Sequence, residues 1–567
     1  MLQIISGKFF KSDDRHIHDG KGILYSNYSW GAPIETCVAT LEPVDHFREV
    51  SSYVLVYVNQ IEKGGIIVRK GDSEILEQFK LLATFGFRAY FAPFRDEIAQ
   101  ICRKSSLGGT DQYVPSQFIP RFFEGGTHGN NQEVTCFIEL VKKVIGLKRQ
   151  IYNAVMSAFK TIRDALLASN YNLDLSYSML VYCLESLSQK FDNYSATWKD
   201  YDEALRNPLD EVLKTIDQKK AELIQSLLLS SENFLLCRRF IGFVSDHVGD
   251  SFFQEEAVNI EMALRKSHLK RALRNAYIMR SKFVHQLTPI LHQLRIPVIA
   301  KGDIFSWDGE PYLTLSGLLR LTLHVINNFI WRCESIEKED FDWRQEIPGV
   351  VTMKLAPQYW VLNVDGFEPM EAATRFSGFL EQVYASYSRK ESISDLRTLM
   401  KAFEDKIPKA KQTHKITLLA MYWLYNAIIK EDAKQPDWEK FLDQYSNEIM
   451  TCSMEMMIVR VLLFQDLPWF VEQCIDVFKD FNEKRFGKKS LEIPVMIEVA
   501  LLVTIANHAS RENRYQDRTW LLKTAIYEAS GYIEIQRLLS DNLGTKDELR
   551  VHNILGIQPA GQEPLGS

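Results

Sequence analysis

The hydrophobic and polar positions divide the chain into an N-terminal part with strand-like runs and two longer parts with helical periodicity. Within residues 1–125, short runs rich in β-branched and aromatic residues alternate with Gly, Asn, Asp and Pro turn signals; they are QIISGKFF, KGILYSNYSW, IETCVATLEP, YVLVYVNQI and GGIIVRKG. A helix that Asp72 or Ser73 caps is predicted at DSEILEQFKLLATFGF. The pattern therefore predicts a β-rich N-terminal domain over residues 1–125.

Helical periodicity begins after a Gly- and Asn-rich stretch, RFFEGGTHGNNQEV (121–134), which predicts a loop or linker and the first domain boundary. From about 135 to 335, apolar residues recur at intervals of three and four, which predicts a bundle of helices. A link with scattered strand signals leads to a second helical region, 365–555, that has no fixed repeat period. Residues 556–567 are rich in Gly and Pro and predict a disordered tail. The expected fold is mainly α with an N-terminal β-rich domain, a central helical bundle and a C-terminal helical domain.

Length and composition narrow the class of protein. A chain of 567 residues is too long for a single core, and its charge of −6 argues against a protein that coats nucleic acid non-specifically. No apolar run approaches the roughly 20 residues that span a bilayer, and the first residues lack the pattern of a signal peptide. We therefore expect a cytoplasmic protein with no membrane partner.

The sequence contains no familiar cofactor or metal motif. Its eight cysteines are scattered without a C-x-x-C pair, which argues against a disulfide framework or a cysteine-based zinc site. There is no P-loop, G-x-G-x-x-G, H-E-x-x-H or G-x-S-x-G motif. The sequence therefore gives no motif support for an ATPase, dehydrogenase, zinc protease or serine hydrolase. We expect neither a metal nor a cofactor.

One stretch differs in charge from the rest of this acidic chain. Between Met262 and Asp303 there is no acidic residue, whereas nine are basic: Arg265, Lys266, Lys270, Arg271, Arg274, Arg280, Lys282, Arg295 and Lys301. Such a stretch is either a local site for an anionic partner such as RNA or a solvated helix face that pairs with acids elsewhere.

Arg280 and His285 lie inside this stretch, in the segment YIMRSKFVHQL. The spacing alone carries no information, because Arg121 and His128 lie at a comparable distance in RFFEGGTH, on a predicted loop. What distinguishes the first pair is its helical context, the surrounding basic residues and the small polar Ser281 directly after the arginine.

The segment YIMRSKFVH resembles the R-x4-6-H motif of HEPN ribonucleases, in which a polar residue commonly follows the arginine. The resemblance extends to LVYCLESLSQKF, LCRRFIGFV and SGLLRLTLHVINNFI, which are similar to other helices of the family in the same order. It covers about residues 140–335 and is closest to the ApeA-like branch, which is associated with abortive infection. The outer regions resemble no family.

The resemblance implies a metal-independent endoribonuclease. RNA supplies its own nucleophile, the 2′-hydroxyl, so the protein needs a proton carrier and positive charge for the phosphate. His285 would be the general acid and base, Arg280 would bind the scissile phosphate, and Ser281 would assist by hydrogen bonding. Arg271, Arg274 and Lys282 would position RNA, for which tRNA is one candidate. A regulated toxin in anti-phage defence is the implied role, with a phage-derived trigger or partner protein and the N-terminal domain as a candidate sensor.

Helix geometry adds a condition to this interpretation. Five residues along an ideal helix rotate about 140°, so Arg280 and His285 do not share a face. Two copies that meet across a dimer could surround one cleft with both pairs, which is also what the resemblance implies. We therefore expect a homodimer through the central helices.

Simpler interpretations of the same residues remain open. His285 could be a partly buried structural histidine, Arg280 a surface ion-pairing residue, and Glu185 either a surface glutamate or a group that orients a basic side chain. His292 and His324 are expected to be structural. The chain as a whole could be a non-catalytic HEPN-like scaffold, which Gln286 favours because the family often has glycine there, or a regulator that binds RNA without cutting it.

Overall fold

The computed structural model of this chain describes residues 1–46, 49–63, 72–103, 113–192, 197–198, 203–229, 236–346, 355–487 and 490–557. The chain forms two compact units, Met1–Val351 and Thr352–Ser567. A mainly α fold with an N-terminal β-rich region is confirmed. The strand predicted at GGIIVRKG (64–71) and nearly all of the tail predicted as disordered lie outside the described residues.

The first unit begins with a five-stranded antiparallel sheet of order β3-β4-β5-β1-β6. The described strands of this unit are β1 (Arg15–Ser26), β2 (Tyr28–Ser29), β3 (Ile34–Glu35), β4 (Thr40–Asp45), β5 (Ser51–Glu62), β6 (Phe91–Ala92), β7 (Thr127–His128), β8 (Ile304–Trp307) and β9 (Glu310–Leu313). The strands predicted at KGILYSNYSW, IETCVATLEP and YVLVYVNQI are therefore confirmed. The strand-like run QIISGKFF was misleading, because its first residues form a fully buried helical turn.

Its helices are α1 (Leu2–Ile5), α2 (Ser73–Phe87), α3 (Arg95–Ile101), α4 (Pro115–Phe118), α5 (Pro120–Phe123), α6 (Asn131–Gly146), α7 (Arg149–Ala168), α8 (Leu173–Phe191), α9 (Glu203–Leu213), α10 (Gln218–Leu229), α11 (Leu236–His247), α12 (Lys266–Gln286) and α13 (Leu315–Arg332). Helix α8 contacts α7, α11, α12 and α13, so it is the centre of the bundle. The predicted helix that opens at Asp72 is confirmed as α2, with Asp72 at the N-cap position.

The sheet and the bundle pack through one face of the sheet. Along β5, Tyr53, Leu55 and Tyr57 alternate inward and are buried, as a half-buried strand requires. Glycines in β1 allow this close approach: a Cβ at Gly20 would lie 2.2 Å from the Tyr57 ring, and one at Gly22 would lie 2.1 Å from Leu76 of α2. The buried residues of the sheet and of the helices form one continuous core.

A cluster of buried polar side chains, Gln3, Lys8 and Arg149, ties the start of the chain to the bundle; we call it the N-terminal junction. The Lys8 ammonium donates to the carbonyl oxygens of Leu147 at 2.6 Å and Ile336 at 2.9 Å. The Gln3 amide donates to Leu147 O at 2.7 Å and accepts from Arg149 at 3.2 Å. The junction thereby satisfies carbonyls that the break between α6 and α7 leaves without helical partners.

The stretch 121–134, predicted as a loop and domain boundary, lies inside the first unit. It contains the end of helix α5, the start of helix α6 and, between them, strand β7, which pairs in parallel with β2. The Asn27 side chain donates to the carbonyls of Phe122 and Glu124, and Thr127 N–H donates to Asn27 O. These bonds hold the stretch against the sheet.

The secondary structure of the second unit consists of helices within its described residues, and the unit has its own core. Its helices are α14 (Pro357–Trp360), α15 (Ala372–Arg389), α16 (Arg397–Lys406), α17 (Gln412–Ile428), α18 (Trp438–Asp443), α19 (Ser446–Ile449), α20 (Met454–Leu462), α21 (Val471–Lys484), α22 (Val495–Arg511), α23 (Tyr515–Glu528), α24 (Ile533–Asp541) and α25 (Val551–Ile554). Two buried arginines of this unit bind backbone carbonyls outside their own helices: Arg375 donates to Val361 O, and Arg518 donates to the carbonyls of Asn542 and Asp547.

Among the described helices of both units, none combines the length and the apolar character needed to cross a membrane.

The N-terminal junction gives a stability prediction for Lys8→Met. The substitution removes the donor to three carbonyls, so we expect the free energy of unfolding at pH 7 to fall by about 1–3 kcal/mol in urea titrations. Lys11→Met is the matched control, because the Lys11 ammonium is exposed and forms its ion pair with the exposed Asp340; its effect should be much smaller than that of Lys8→Met. Equal effects of the two substitutions would contradict the assignment.

Lys8 also predicts a pH dependence. Burial lowers the pKa of Lys8 from 10.5 to about 8, so between these values the unfolded chain holds a proton that the folded chain has released. The contribution of this group to stability therefore rises with pH across that window. The difference in unfolding free energy between wild type and Lys8→Met should grow from pH 8 to pH 10; a difference that shrinks would contradict a buried lysine.

Candidate functional site

Helix α12 carries the arginine and histidine singled out in the sequence. Its buried residues are Leu269, Ala272, Leu273, Ala276 and Met279, which recur at helical spacing and form one apolar stripe. The stripe packs on α8 and α11. The opposite face of α12 is open to solvent, and the helix ends at Gln286, followed by the C-cap residue Leu287 in the left-handed conformation with φ 53°.

Arg280 points towards the bundle and is bound by a buried carboxylate. Its guanidinium lies 3.0 Å from Glu185 of α8, and the two side chains are 16% and 4% exposed. The Tyr277 hydroxyl donates to the other oxygen of Glu185 at 3.4 Å. Burial and the Glu185 carboxylate raise the pKa of Tyr277 to about 12. Glu185 therefore orients Arg280, and its interpretation as a surface glutamate was wrong.

His285 is exposed in the last turn of α12. Its imidazole makes no hydrogen bond or ion pair within the described part of the chain, so the alternative of a buried structural histidine was wrong. Five residues separate it from Arg280, a rotation of about 140° on an ideal helix. Within one chain, the guanidinium and the imidazole therefore point in different directions.

The exposed face of α12 brings a different set of residues into line. Ser281 precedes His285 by four residues and Arg274 precedes Ser281 by seven, so these three positions lie within about 40° of one another. Arg274 is exposed, and Ser281 is partly exposed. This row, Arg274, Ser281 and His285, presents a cation, a hydroxyl and an imidazole to solvent. We call it the outward row.

The basic stretch is partly neutralised by acids from other elements. Arg280 pairs with Glu185, Arg295 with Asp174, and Arg271 with Glu310 of β9. The remaining basic residues are exposed and have no acidic partner among the residues that the structure describes; they are Arg265, Lys266, Lys270, Arg274, Lys282 and Lys301. The interpretation as a helix face that pairs with acids elsewhere therefore holds for three of the nine basic residues, and the interpretation as a site for an anionic partner stays a prediction.

The pair between Arg271 and Glu310 changes what Arg271 can do. The guanidinium donates twice to the carboxylate at 2.5 Å, and Asn275 donates to the same group at 3.2 Å. These hydrogen bonds lower the pKa of Glu310 to about 2, so the carboxylate stays charged. Arg271, expected to contact RNA, is thus already ion-paired, whereas Arg274 and Lys282 have no acidic partner among the residues that the structure describes.

The other histidines of this region have separate surroundings. His324 is buried: its Nδ1 bonds Glu256 at 2.7 Å, and its Nε2 accepts from Gly249 N–H at 2.9 Å, which agrees with the structural role expected for it. His292 is exposed in a short 3-10 helix. Neither belongs to the outward row.

Glu185 is the residue whose role the sequence left undecided. It follows Leu184 directly and precedes Leu187 and Ser188, all of them buried on α8. A carboxylate inside an apolar helical stripe requires a cationic partner, and that position was the signal in the sequence.

Within the described ranges, no three His, Cys, Asp or Glu side chains are grouped as a metal ion would require. Comparison of the chain with protein-family models, with curated proteins and with solved structures found no match.

The Arg280–Glu185 pair gives a double-mutant prediction. Arg280→Met leaves a buried carboxylate without its cation, so we expect a loss of about 3 kcal/mol of unfolding free energy. Adding Glu185→Leu should recover most of that loss, with a coupling energy of about 2 kcal/mol. The exposed pair of Arg271 on α12 with Glu310 on β9 is the control: Arg271→Met with Glu310→Leu should couple much more weakly. Equal coupling in both cycles would contradict a buried pair.

Proposed function

We propose that this protein is a metal-independent endoribonuclease of the HEPN type, which acts as a regulated toxin in anti-phage defence. The observation that carries the proposal is the outward row: an exposed imidazole that no described residue binds, aligned with Ser281 and with the unpaired Arg274. Unpaired Lys282 adds positive charge beside it. A phosphodiester is the substrate class that needs a cation and a proton carrier together.

The proposed reaction has two proton transfers. His285 takes the proton from the 2′-hydroxyl as its oxygen attacks the adjacent phosphorus, and the bond from phosphorus to the 5′-oxygen breaks. The leaving 5′-oxygen receives a proton from an imidazolium, and the products are a 2′,3′-cyclic phosphate and a 5′-hydroxyl. Arg280 stabilises the charge on the phosphate oxygens, and Ser281 donates a hydrogen bond.

Because the side chains of Arg280 and His285 point in different directions on one chain, the proposal includes a second copy of the chain. One chain directs its imidazole outward and holds its guanidinium beside Glu185, so we propose that two chains meet at one cleft, where the imidazole of one chain approaches the 16%-exposed Arg280 side chain of the other. Exposed apolar residues flank the row, namely Ile278 at 39% and Val284 at 49% exposure, with Tyr182 of the neighbouring helix α8 at 51%. Apolar side chains at these positions are suited to a subunit interface.

The role in defence follows from the need for control and from the resemblance of the central helices. An endoribonuclease that is always active damages its host, so the activity must wait for a trigger. The N-terminal sheet is our candidate sensor of a phage-derived signal, because it shares one core with the helices that carry the site.

A second candidate function is an RNA-binding regulator without catalysis. The observation in its favour is Arg280, whose guanidinium is engaged by a buried carboxylate rather than left available to phosphate. This candidate uses the same exposed cations but requires no role for His285.

Substitution of His285 separates the two candidates. We expect His285→Ala to lower RNA cleavage by about 10²–10⁴-fold, because it removes the proton carrier, without lowering stability by more than about 0.5 kcal/mol. The assay uses the purified full chain with tRNA and total RNA in EDTA, and product ends are tested for 2′,3′-cyclic phosphate.

His292→Ala is the matched control for that substitution. His292 is also exposed and lies seven residues further along the chain, so cleavage should persist. If wild type does not cut in vitro, toxicity is compared in cells during phage infection. If wild type and His285→Ala are equally harmless in those infected cells, or if both cleave RNA equally in vitro, the catalytic proposal is overturned.

Arg271 is ion-paired, whereas Arg274 and Lys282 have no described acidic partner, so their substitutions should change RNA affinity to different extents. Arg274→Ala and Lys282→Ala should each weaken RNA binding and reduce the slope of log affinity against log salt by about 0.7–1. Arg271→Ala should change the slope less, because Glu310 already neutralises Arg271. Binding is measured at several salt concentrations in the His285→Ala background. An equal change for Arg271 and Arg274 would contradict the pairing.

A further inference from the structure

Strand β1 has an unpaired edge over most of its length. All twelve of its residues pair with β5, but on the other side only Tyr25 and Ser26 pair with β6. Among the described residues, no strand pairs with Arg15–Leu24 on that side. The outward side chains along β1 are exposed, at 67% for Ile17 and 54% for Ile23, and helix α3 contacts part of the strand. An open edge of this length is a template for a further strand.

The pairing of β1 with β5 identifies which backbone N–H and C=O groups of β1 point to its open edge. Lys63 N–H donates to Asp14 O at 2.9 Å, just beyond the end of the ladder, which identifies even-numbered residues of this strand as those bonded towards β5. The odd-numbered residues therefore direct their N–H and C=O groups to the open edge.

The side chains of the odd-numbered residues form a self-complementary row. They are Ile17, Asp19, Lys21 and Ile23, and all four are exposed. If a second β1 pairs antiparallel with its register centred on Gly20, Asp19 lies opposite Lys21 of that second copy and Ile17 lies opposite its Ile23. Opposite charges and apolar pairs directly across a ladder stabilise it. Neither Asp19 nor Lys21 has a hydrogen-bond or ion-pair partner among the described residues.

We propose that a second copy of this chain docks on the open edge of β1, in an antiparallel register centred on Gly20. The resulting interface is isologous, as a two-fold axis through Gly20 requires, and it extends each sheet into a continuous sheet shared by two chains. A lysine on an edge also discourages random strand addition, because it would lie against unmatched partners. In the centred register Lys21 is matched, so the same residue makes the pairing selective.

Charge reversal tests this register in the full-length protein. Asp19→Lys and Lys21→Asp each turn both opposite-charge pairs of the interface into like-charge pairs, so each should weaken self-association by at least about tenfold. The double variant Asp19→Lys/Lys21→Asp restores opposite charges and should regain wild-type association. An equimolar mixture of the two single variants should form mixed complexes, because the two lysines of one chain then face the two aspartates of the other.

Mass is measured by light scattering over a concentration series, with Glu42→Lys as the control on the same face of the sheet, away from the edge. The site on α12 is untouched, so a dimer through the central helices would remain as a smaller species and would not hide the effect. A monomeric wild type at about 100 μM, an unchanged mass for either single reversal, or failure of the folded double variant to recover would overturn the proposal.

Discussion

Two buried charges, Lys8 and Glu185, determine how the first unit is assembled. A charge removed from water must be bound by polar groups or by an opposite charge, and both residues find these groups far along the chain. The Lys8 ammonium donates to the carbonyls at the α6–α7 break and after α13. Glu185 forms an ion pair with Arg280 of α12 and accepts a hydrogen bond from Tyr277 of the same helix. The sheet is thereby joined to the bundle, and α12 is fixed in rotation against α8.

That fixed rotation determines what the candidate site can be. With Arg280 held at Glu185, the helical repeat directs His285 outward, together with Ser281 and Arg274. The hydrophobic stripe of α12 enforces the same orientation, because turning the helix to bring Arg280 outward would expose Leu273 and Ala276. We therefore expect Arg280 and His285 to act in one site only where two chains assemble. The proposed pairing along β1 uses none of the residues of α12, so the two proposed surfaces can be altered independently.

Much of the fold could be predicted because its signals are local. Alternation along β5 and three-and-four spacing along α8 and α12 depend on neighbours within a few residues, and each was correctly interpreted. Asp72 was correctly placed at the start of α2, but its side chain accepts a hydrogen bond from Asn59 and makes none to the helix. The run QIISGKFF shows the limit, since a short fully apolar segment suits a strand or a helical turn equally well. The Gly-rich stretch 121–134 shows another, because a loop composition does not reveal that Asn27 will bond it to the sheet.

By itself, the sequence determined the element types of this protein, the concentration of basic residues along α12, and the positions of Arg280, Ser281 and His285 on one helix. Only the tertiary structure decided which of these side chains are already bound. Glu185, Glu310 and Asp174 are distant from α12 in sequence, and nothing local indicates that they meet Arg280, Arg271 and Arg295. The reason is physical: a side chain's availability to a ligand depends on its burial and on its opposing charges, and packing brings both from remote parts of the chain.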